Sequence, residues 1–523
     1  MEISSYMKTG LLLSGLLSAM LFGSCADGYD SPNGFDSGVN NETLTTPDSL
    51  TFKLNTEGTE ATISWPLVLG ADCYQVTMMN ITDPENPTYM DVTVGGVPMP
   101  CNELVVDGCS MTVPVTEDSK YSFLFKVIGN VDRGNKDGQD VDTVFMTMVP
   151  SILTIPASRD SLVDISNYLD STFLDSAYVD QEVAIELEAG GHYKMTQAMD
   201  FQFMNMTFRG NKAKPAIIDM EGGACFYTYS GLKLKHMRFD MTNSTANGLV
   251  QMSDHNLPDT IKSEKFGFTR SGSLIKGIYN IIDPIFFQNV WCKNMPRALV
   301  NDNSVGCAWW NVTVKDCIIQ VANEKSSVGF LCFEKKGALI KNITISNSTI
   351  YNIYNNSSAY FLRFSNQSNS NPQKVYGNTN TAKWTSGELT NWNFTMSHVT
   401  LSKIYSGQKW ANNVNGTGFF LAFDHCIFYD LYQPFRRIME KGYSNASMKF
   451  NFFCNPDDES DVDYKRTDSS GAPCAAYYNF GFLGDCTQEL DLEAENGGVD
   501  FTPDENEVKN NKGGDSRWLP ATN

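Results

Sequence analysis

The chain has 523 residues and a formal net charge of −21. This charge excludes a general nucleic-acid-binding surface, which requires a basic footprint, and it disfavours a long-range attractive field for polyanions. A polyanion could still be held by a local basic strip or by bridging cations. The length is sufficient for two or three domains.

The first 25 residues combine a lysine, an apolar run and a closing cysteine. Lys8 precedes an apolar run from Gly10 to Phe22, which is too short to span a bilayer but long enough for a signal-peptide core. The run ends in the letters FGSC, which are similar to the lipobox read by lipoprotein signal peptidase. The resemblance implies cleavage before Cys25 and a lipid on its thiol. An ordinary secretory signal is the alternative.

The lipobox resemblance also implies a location. We expect the mature chain to lie at the cell outer membrane, held by lipid through Cys25 and exposed at the surface. Residues 26–46 are rich in Gly, Asn, Asp, Ser and Thr and predict a flexible tether. No other segment is long and apolar enough to predict a transmembrane helix.

Residues 47–150 alternate short β-like runs with turn residues, which predicts a small β-sandwich. Trp65 ends one run, and Tyr121 begins another after a turn. This pattern resembles fibronectin type III domains, in which a core Trp and a corner Tyr recur. Such domains usually act as spacers. Residues 151–181 are predicted to form a linker and a capping helix, because 158–177 carry apolar residues at helical spacing.

A six-residue unit recurs from residue 182 onward. It consists of an apolar residue, a variable one, then Asn, His or Asp, a small or apolar residue, a variable one and a final apolar residue. Its copies are 203–208, 234–239, 287–292, 314–319, 345–350, 396–401 and 423–428. The intervals between copies are near 30 or near 50 residues, so we expect two degenerate copies in the long intervals. Such a period predicts a solenoid.

The unit indicates which solenoid to expect. Its apolar first and last positions suit inward-facing residues on two successive strands, and its third position suits a left-handed corner between them. The pattern resembles the right-handed parallel β-helix of pectate-lyase-like proteins, expected over 182–455. The overall fold class is therefore mainly β, with a fibronectin type III-like sandwich followed by a β-helix.

Residues 456–523 form an acidic, turn-rich C-terminal region that we expect to pack on the β-helix. Its closing letters GDSRW resemble the C-termini of glycan-utilisation lipoproteins that pair a sandwich with a β-helix, a family largely of unknown function. Of the 13 cysteines, none forms a CxxC pair or a metal-ligand cluster with histidine. Local disulfides are conceivable, but buried free thiols are favoured for most.

Histidines and basic residues are the candidate catalytic side chains. His236, His398 and His425 occupy the third position of the repeat, which favours a structural role at the corner. A polysaccharide lyase needs a base and a cation that neutralises a uronate carboxylate. The basic residues that could serve such an enzyme are Lys235, Arg238, Lys315 and Arg297. No G-x-S-x-G elbow, P-loop or Rossmann fingerprint is present.

Metal and sugar contacts complete the predicted site. Asp424 lies in a segment similar to the Trp-Ile-Asp-His of pectate lyases, where the Asp helps to bind calcium, but the companion Arg-x-Pro-x-x-Arg element is missing. Asp302 could supply a further oxygen ligand. No cofactor is expected, with calcium as the exception if the protein is a lyase. Four tryptophans near turns could stack on sugar rings: Trp309, Trp310, Trp384 and Trp392.

These patterns favour a lipid-anchored envelope protein that binds polysaccharide, with pectic material as the first guess, for a glycan-uptake system. The expected partners are a polysaccharide, outer-membrane lipid and a glycan-transport complex. A polysaccharide lyase or glycoside hydrolase is the first alternative, and a structural or adhesive surface protein is the second.

Overall fold

The computed structural model describes residues 39–519. Its gaps are 48, 56–59, 84–85, 95–96, 117, 150, 169–180, 268, 271–272, 275, 325–328, 336, 356–359, 365–391, 405–409, 413–418 and 440–444. Cys25, the expected signal peptide and Trp384 lie outside the described residues. The chain divides into two compact units, of which the first ends at Pro150 and the second begins at Ser151.

The first unit contains ten strands. They are β1 (Thr51–Leu54), β2 (Glu60–Ser64), β3 (Ala71–Asn80), β4 (Thr88–Tyr89), β5 (Asp91–Val94), β6 (Val97–Pro100), β7 (Leu104–Val106), β8 (Ser110–Pro114), β9 (Lys120–Gly129) and β10 (Val141–Met146). One antiparallel sheet has the order β1-β2-β8, and a second has the order β10-β9-β3-β4 with β7 beside β3. Alternating buried residues from both sheets form a single core.

Aromatic side chains fill the centre of this core. Trp65 is 5% exposed and packs edge-on against Tyr74, with ring centroids 5.5 Å apart. Tyr121 is fully buried, and its hydroxyl accepts a 2.7 Å hydrogen bond from the amide of Thr116. Residues 39–46, the described end of the expected tether, are bound to this unit. Leu44 is buried there and its amide donates to the carbonyl of Lys136.

The described residues of the second unit contain the remaining strands and two short α-helices. The first group is β11 (Ser151–Ile155), β12 (Val163–Asp164), β13 (Glu182–Leu187), β14 (His192–Met195), β15 (Met199–Asp200), β16 (Asn205–Arg209), β17 (Ala216–Met220), β18 (Phe226–Thr228), β19 (Leu232–Asp240), β20 (Gly248–Met252), β21 (Thr269–Arg270), β22 (Ser273–Leu274) and β23 (Tyr279–Ile281). The second group is β24 (Ile285–Met295), β25 (Ala298–Asn301), β26 (Cys307–Lys315), β27 (Ile318–Val321), β28 (Gly329–Phe333), β29 (Leu339–Asn352), β30 (Tyr360–Phe364), β31 (Trp392–Ser402), β32 (Ala411–Asn412), β33 (Phe419–Asp424), β34 (Ile427–Tyr429), β35 (Asn445–Lys449), β36 (Phe452–Cys454) and β37 (Ala476–Tyr477). The helices are α1 (Arg436–Met439) and α2 (Asn506–Asn510).

These strands coil into a parallel β-helix. A complete turn contributes to each of three sheets, and the strands of successive turns pair in parallel; in the described residues the two ends of the β-helix carry no sheet III strand. Sheet I runs through β11, β13, β16, β19, β24, β26, β29, β31, β33 and β35. Sheet II runs through β12, β14, β17, the second halves of β19, β24, β29 and β31, and β27, β34, β36 and β37. Sheet III runs through β15, β18, β20, β25, β28, β30 and β32.

The repeat predicted from the sequence marks the corner between sheets I and II. Six of its seven third-position residues adopt positive φ, from 45° to 56°: His236, Asn289, Asp316, Asn347, His398 and His425. Short polar side chains tolerate this left-handed conformation better than β-branched ones. The first copy is an exception, because Asn205 begins β16 and pairs with Glu182. The prediction of a polar corner ladder is otherwise confirmed.

The long intervals between copies are insertions, so the expectation of two degenerate copies was wrong. β19 pairs directly with β24, and β29 pairs directly with β31, which leaves no room for a turn between them. The described residues of 253–278, which we call the insertion, lie between β20 and β23 and include the hairpin β21–β22.

The described start of the expected capping helix is not α-helical. Residues 163–164 form strand β12 on sheet II, and Ile165–Tyr168 form a 3₁₀ turn in which Ile165 is buried. The pairing of β12 with β14 outweighs the helical spacing of the apolar residues here. Among the described residues, no helix is long and apolar enough to cross a membrane. All twelve described cysteines are free thiols, and ten of them are buried.

Candidate functional site

The outer face of sheet II is covered by the C-terminal region. Trp291, Ile318 and Tyr351 point outward from this sheet and pack against Leu490, Leu492, Val499, Phe501 and Trp518. The Tyr351 hydroxyl donates a 2.9 Å hydrogen bond to the carbonyl of Gln488. Apolar side chains therefore close this part of the face with a second layer, whereas His192 and Asp219 on earlier strands of sheet II stay exposed.

The residues of the closing GDSRW sequence attach this layer to sheet II through hydrogen bonds. Asp515 is fully buried, and its carboxylate accepts hydrogen bonds from the Thr349 hydroxyl at 2.9 Å and from the Arg517 guanidinium at 3.1 Å. Burial raises the pKa of Asp515, and the charge of Arg517 opposes that rise. The Trp518 indole N–H donates to the same Thr349 hydroxyl at 2.6 Å. We call Asp515, Arg517 and Trp518 the C-terminal clasp.

Sheet III presents a different outer face. One residue of each strand lies in register with the next and alternates with inward-facing apolar residues such as Val250 and Leu362. We call this series the sheet III row: Asp200, Tyr227, Gln251, Asn301, Cys332 and Arg363. Its five steps at the spacing of paired strands span about 24 Å. A repeating polar surface of this length suits an extended ligand.

Neighbouring segments partly cover the row. Gln251 is 2% exposed and Cys332 is 1% exposed, whereas Asp200, Tyr227, Asn301 and Arg363 are half-buried. Charge is therefore concentrated toward the two ends of the row, around Asp200 at one end and Arg363 at the other. These ends are five strand spacings apart, about 24 Å.

The Asp200 end holds a hydrogen-bonded group of side chains. One carboxylate oxygen of Asp200 accepts from the Ser253 hydroxyl at 2.8 Å and lies 2.9 Å from Nδ1 of His255. The His255 side chain is 67% exposed, and that of Asp200 is 18% exposed. The hydrogen bond from Asp200 raises the pKa of His255. This arrangement fixes the tautomer with a proton on Nδ1 and directs basicity to Nε2.

The Arg363 end holds an ion pair beside a buried carboxyl group. The guanidinium of Arg363 lies 2.6 Å from the carboxylate of Glu334 and 5.3 Å from the centroid of the Tyr360 ring. Asp302 is 2% exposed and accepts hydrogen bonds from the amides of Ser304 and Lys335. Burial raises the pKa of Asp302 to about 6. This end therefore offers a cation beside acidic oxygen atoms.

The tryptophans predicted to stack on sugars occupy different environments. Trp309 is fully buried in the β-helix core against Phe333, so it is not a binding platform in this structure. Trp310 faces outward, as alternation requires, but it packs against Phe266 of the insertion. Its indole N–H donates to Asn280 at 3.2 Å. Trp392 begins β31, and Trp384 lies outside the described residues.

The basic residues predicted for a lyase do not converge. Lys235 is 4% exposed, with its ammonium group 5.3 Å from the centroid of the Phe286 ring. Arg238 lies beneath the C-terminal region, stacked 3.7 Å from the centroid of the Trp291 ring. Both are therefore unsuited to contact a ligand. Lys315 is exposed on sheet I. Arg297 is exposed beside β25 of sheet III and bonds to Asn247.

The two predicted metal ligands belong to different parts of the β-helix. Asp424 ends β33 on sheet I and lies 3.0 Å from Nδ1 of His425, whereas Asp302 follows β25 of sheet III. Among the described residues, no group of three or more His, Cys, Asp or Glu side chains is arranged to hold a metal ion.

Sequence reasoning missed Asp200, His255 and the grouping around Arg363. His255 and His192 are the only histidines outside the corner ladder, and this distinction was an available signal. The pairing register of sheet III could not be predicted from the sequence, because its strands lack the corner residue that identifies sheets I and II. The insertion was read as a degenerate turn, so the residues that it brings to Asp200 were overlooked.

Two family models match consecutive parts of the chain. Residues 5–190 match DUF4992 and residues 191–353 match DUF4957, and each is described as a domain of unknown function. Each covers about a third of the chain. The border between them falls between β13 and β14, within a turn of the β-helix, rather than at the division after Pro150.

Two solved structures share weak similarity with the chain. A pectate lyase from Erwinia chrysanthemi in complex with tetragalacturonic acid has 10% identity and a TM-score of 0.12, covering 79% of this chain and 85% of its own. A family 28 exopolygalacturonase from Yersinia enterocolitica has 10% identity and a TM-score of 0.19, covering 78% and 89%. No curated protein matches the chain. Scores this low add nothing to the strand pairing, which alone establishes the β-helix.

Proposed function

We propose that the protein binds a polysaccharide along the outer face of sheet III. The observation that carries this proposal is the sheet III row, in which polar and charged residues repeat in register at one strand spacing. A polymer lying along the β-helix axis would meet the half-buried polar members of the row, which are Asp200, Tyr227, Asn301 and Arg363. The half-buried positions of Tyr227 and Arg363 suit contacts to sugar faces and hydroxyl groups.

The first glycan to test is galacturonan, because the two solved structures reported above are a pectate lyase with tetragalacturonic acid and an exopolygalacturonase. These two structures supply only the choice of the test ligand. Affinity gels that contain polygalacturonan, pectin or a neutral glycan should show selective retardation of the protein. Equal migration in every gel would contradict glycan binding.

A polysaccharide lyase is the second candidate function, because Arg363, Glu334 and Asp302 lie together at one end of the row. Arg363 could neutralise a uronate carboxylate during proton abstraction. A calcium ion fits poorly there, because Asp302 already accepts backbone hydrogen bonds. Ultraviolet detection of unsaturated products during incubation with polygalacturonan would support this candidate, and their absence would leave binding alone.

The cellular setting is part of the proposal. The lipobox-like letters before Cys25 support a lipid anchor at the outer membrane, and association with a glycan-transport complex would follow from that location. The antiparallel sheets of the first unit, with Trp65 in the core and Tyr121 bonded at a corner, support a fibronectin type III-like domain. Metabolic labelling with a radioactive fatty acid should label the wild-type protein and not Cys25→Ser.

A further inference from the structure

The insertion after β20 brings a histidine onto a carboxylate of the sheet III row. β20 lies two turns of the β-helix after β15. The first residues of the insertion reach back over that distance, so that Ser253 and His255 both contact Asp200 of β15. The backbone amide of His255 also donates to the Ser253 hydroxyl at 3.2 Å. These three contacts hold the imidazole in place at the surface, although most of its side chain is exposed to solvent.

We propose that Asp200 and His255 form a general-base dyad that hydrolyses an acyl ester carried by the bound polysaccharide. The inference rests on glycan binding by sheet III and adds a reaction to it. Asp200 orients the ring through Nδ1, which leaves Nε2 as the basic atom of a side chain that is 67% exposed. Ser253 is not the nucleophile, because its hydroxyl donates to Asp200 rather than to the imidazole. Water is therefore the attacking group.

The step balances with water as the only co-reactant. Nε2 of His255 removes a proton from water while the water oxygen bonds to the acyl carbon. The carbonyl oxygen becomes negative, and a nearby hydrogen-bond donor stabilises it. The bond between the acyl carbon and the sugar oxygen then breaks, and the imidazolium returns its proton to that oxygen. The products are a carboxylic acid and a free sugar hydroxyl.

Tyr227 is the donor that we assign to the developing oxyanion. It lies on β18, directly paired with Asp200 across the sheet. Burial raises the pKa of its hydroxyl, so the group keeps its proton and can donate near neutral pH. Cys225 also interacts with this hydroxyl, and burial raises the pKa of that thiol to about 11.

The surrounding charges select this reaction over two others. Asp200 and Asp254 are the charged groups that act on His255. Neither carboxylate can neutralise the charge of a uronate carboxylate, as abstraction of its α-proton requires, so that reaction is disfavoured at this end of the row. Glycosidic hydrolysis would require one carboxyl group to donate a proton to the leaving oxygen, whereas Asp200 is engaged with Ser253 and His255. A neutral acyl ester tolerates an acidic surrounding.

The molecule contains a matched control pair. His192 on β14 lies 3.0 Å from Asp219 on β17 of sheet II, with side chains 44% and 34% exposed. This pair has the same two residue types but lies away from the sheet III row, and Nε2 of His192 rather than Nδ1 faces the carboxylate. Replacing His192 should therefore test whether any exposed histidine–aspartate pair produces the activity.

The experiment measures acetate release and binding on the same proteins. Wild type, His255→Asn, Asp200→Asn and His192→Asn are incubated with O-acetylated polygalacturonan, and their retardation is measured in gels with acetylated and deacetylated polymer. We expect His255→Asn to release acetate at least about 100-fold more slowly than wild type, with each protein compared at a polymer concentration that saturates its own binding. His192→Asn should match wild type. The wild-type rate should rise with pH as His255 loses its proton, and His255→Asn should lack that rise.

The outcomes separate the two proposals. Retardation of wild type without acetate release, or equal release by wild type and His255→Asn, would overturn the dyad and leave glycan binding intact. If neither polymer retards the protein, glycan binding fails, and p-nitrophenyl acetate becomes the probe of the dyad. Hydrolysis of that ester that is lost in His255→Asn but kept in His192→Asn would then support the dyad, and any other pattern would overturn it.

Discussion

The outer faces of sheets II and III differ in what covers them. Sheet II carries apolar side chains such as Trp291 and Tyr351, which the C-terminal region covers and the C-terminal clasp fastens. Sheet III carries polar and charged side chains in a row that ends at two charged groups. One solenoid thus uses one face for stability and leaves another available for a ligand.

The largest expected effect comes from breaking the clasp. Asp515→Ala removes the acceptor for Thr349 and leaves the charge of Arg517 without its partner. Loss of one member of a buried ion pair typically costs about 3–5 kcal/mol. Hydrogen exchange should therefore accelerate across residues 480–519. The exposed Asp485→Ala is the control, and equal exchange in both variants would contradict the role of the clasp.

A second effect concerns the core beneath both faces. Trp309→Ala should lower the free energy of unfolding by about 3–5 kcal/mol, because it removes a fully buried aromatic side chain. Glycan affinity per folded molecule should not change, since Trp309 has no surface exposed to the ligand. Denaturant unfolding and affinity gels on the folded fraction measure the two quantities. Lost affinity with full stability would restore Trp309 as a binding residue.

The third effect is on binding. Arg363→Ala should weaken polygalacturonan binding about tenfold, equivalent to ~1.4 kcal/mol, because it removes the cation at one end of the row. Lys315→Ala is the matched control, since that lysine is exposed on sheet I. Isothermal titration with oligogalacturonates compares them. A larger loss in Lys315→Ala would place the ligand on sheet I instead.

The corner ladder, with its repeated apolar positions, was visible in the sequence because each corner requires a residue that tolerates positive φ, as at Asn289 and Asn347. The strands of sheet III do not require a residue that tolerates positive φ. The side chains of its row are chemically as different as those of Asp200 and Cys332, so no pattern in the sequence revealed the row. The periodicity of the sequence also could not show which strand residues are accessible to a ligand. Trp309 and Lys235 lie on strands as expected, but packing makes both inaccessible.

The smallest expected effect is a pH dependence at the corner. Burial, and then repulsion from the stacked His425, lower the pKa of His398. Protonation therefore favours the unfolded chain, whose histidine has an ordinary pKa near ~6.5. Stability should be complete above that pKa and should fall as the pH decreases through it toward the lowered folded value.

His398→Asn should reduce this loss, because asparagine already occupies the equivalent corner positions of neighbouring turns. The measurement is the difference in Tm between pH ~7.5 and pH ~5.5. His192→Asn serves as the control, since it lies outside the ladder. A Tm difference that is the same in wild type and His398→Asn would rule out this histidine as the source.

The central claim is that sheet III is the ligand-binding face. Hydrogen exchange of the wild-type protein, with and without bound oligogalacturonate, tests it most directly. We expect protection in peptides that contain β18, β20, β25, β28 and β30 and in residues 253–258, with unchanged exchange in β33 and β35 of sheet I. Protection confined to sheet I or to residues 480–519 would contradict the claim.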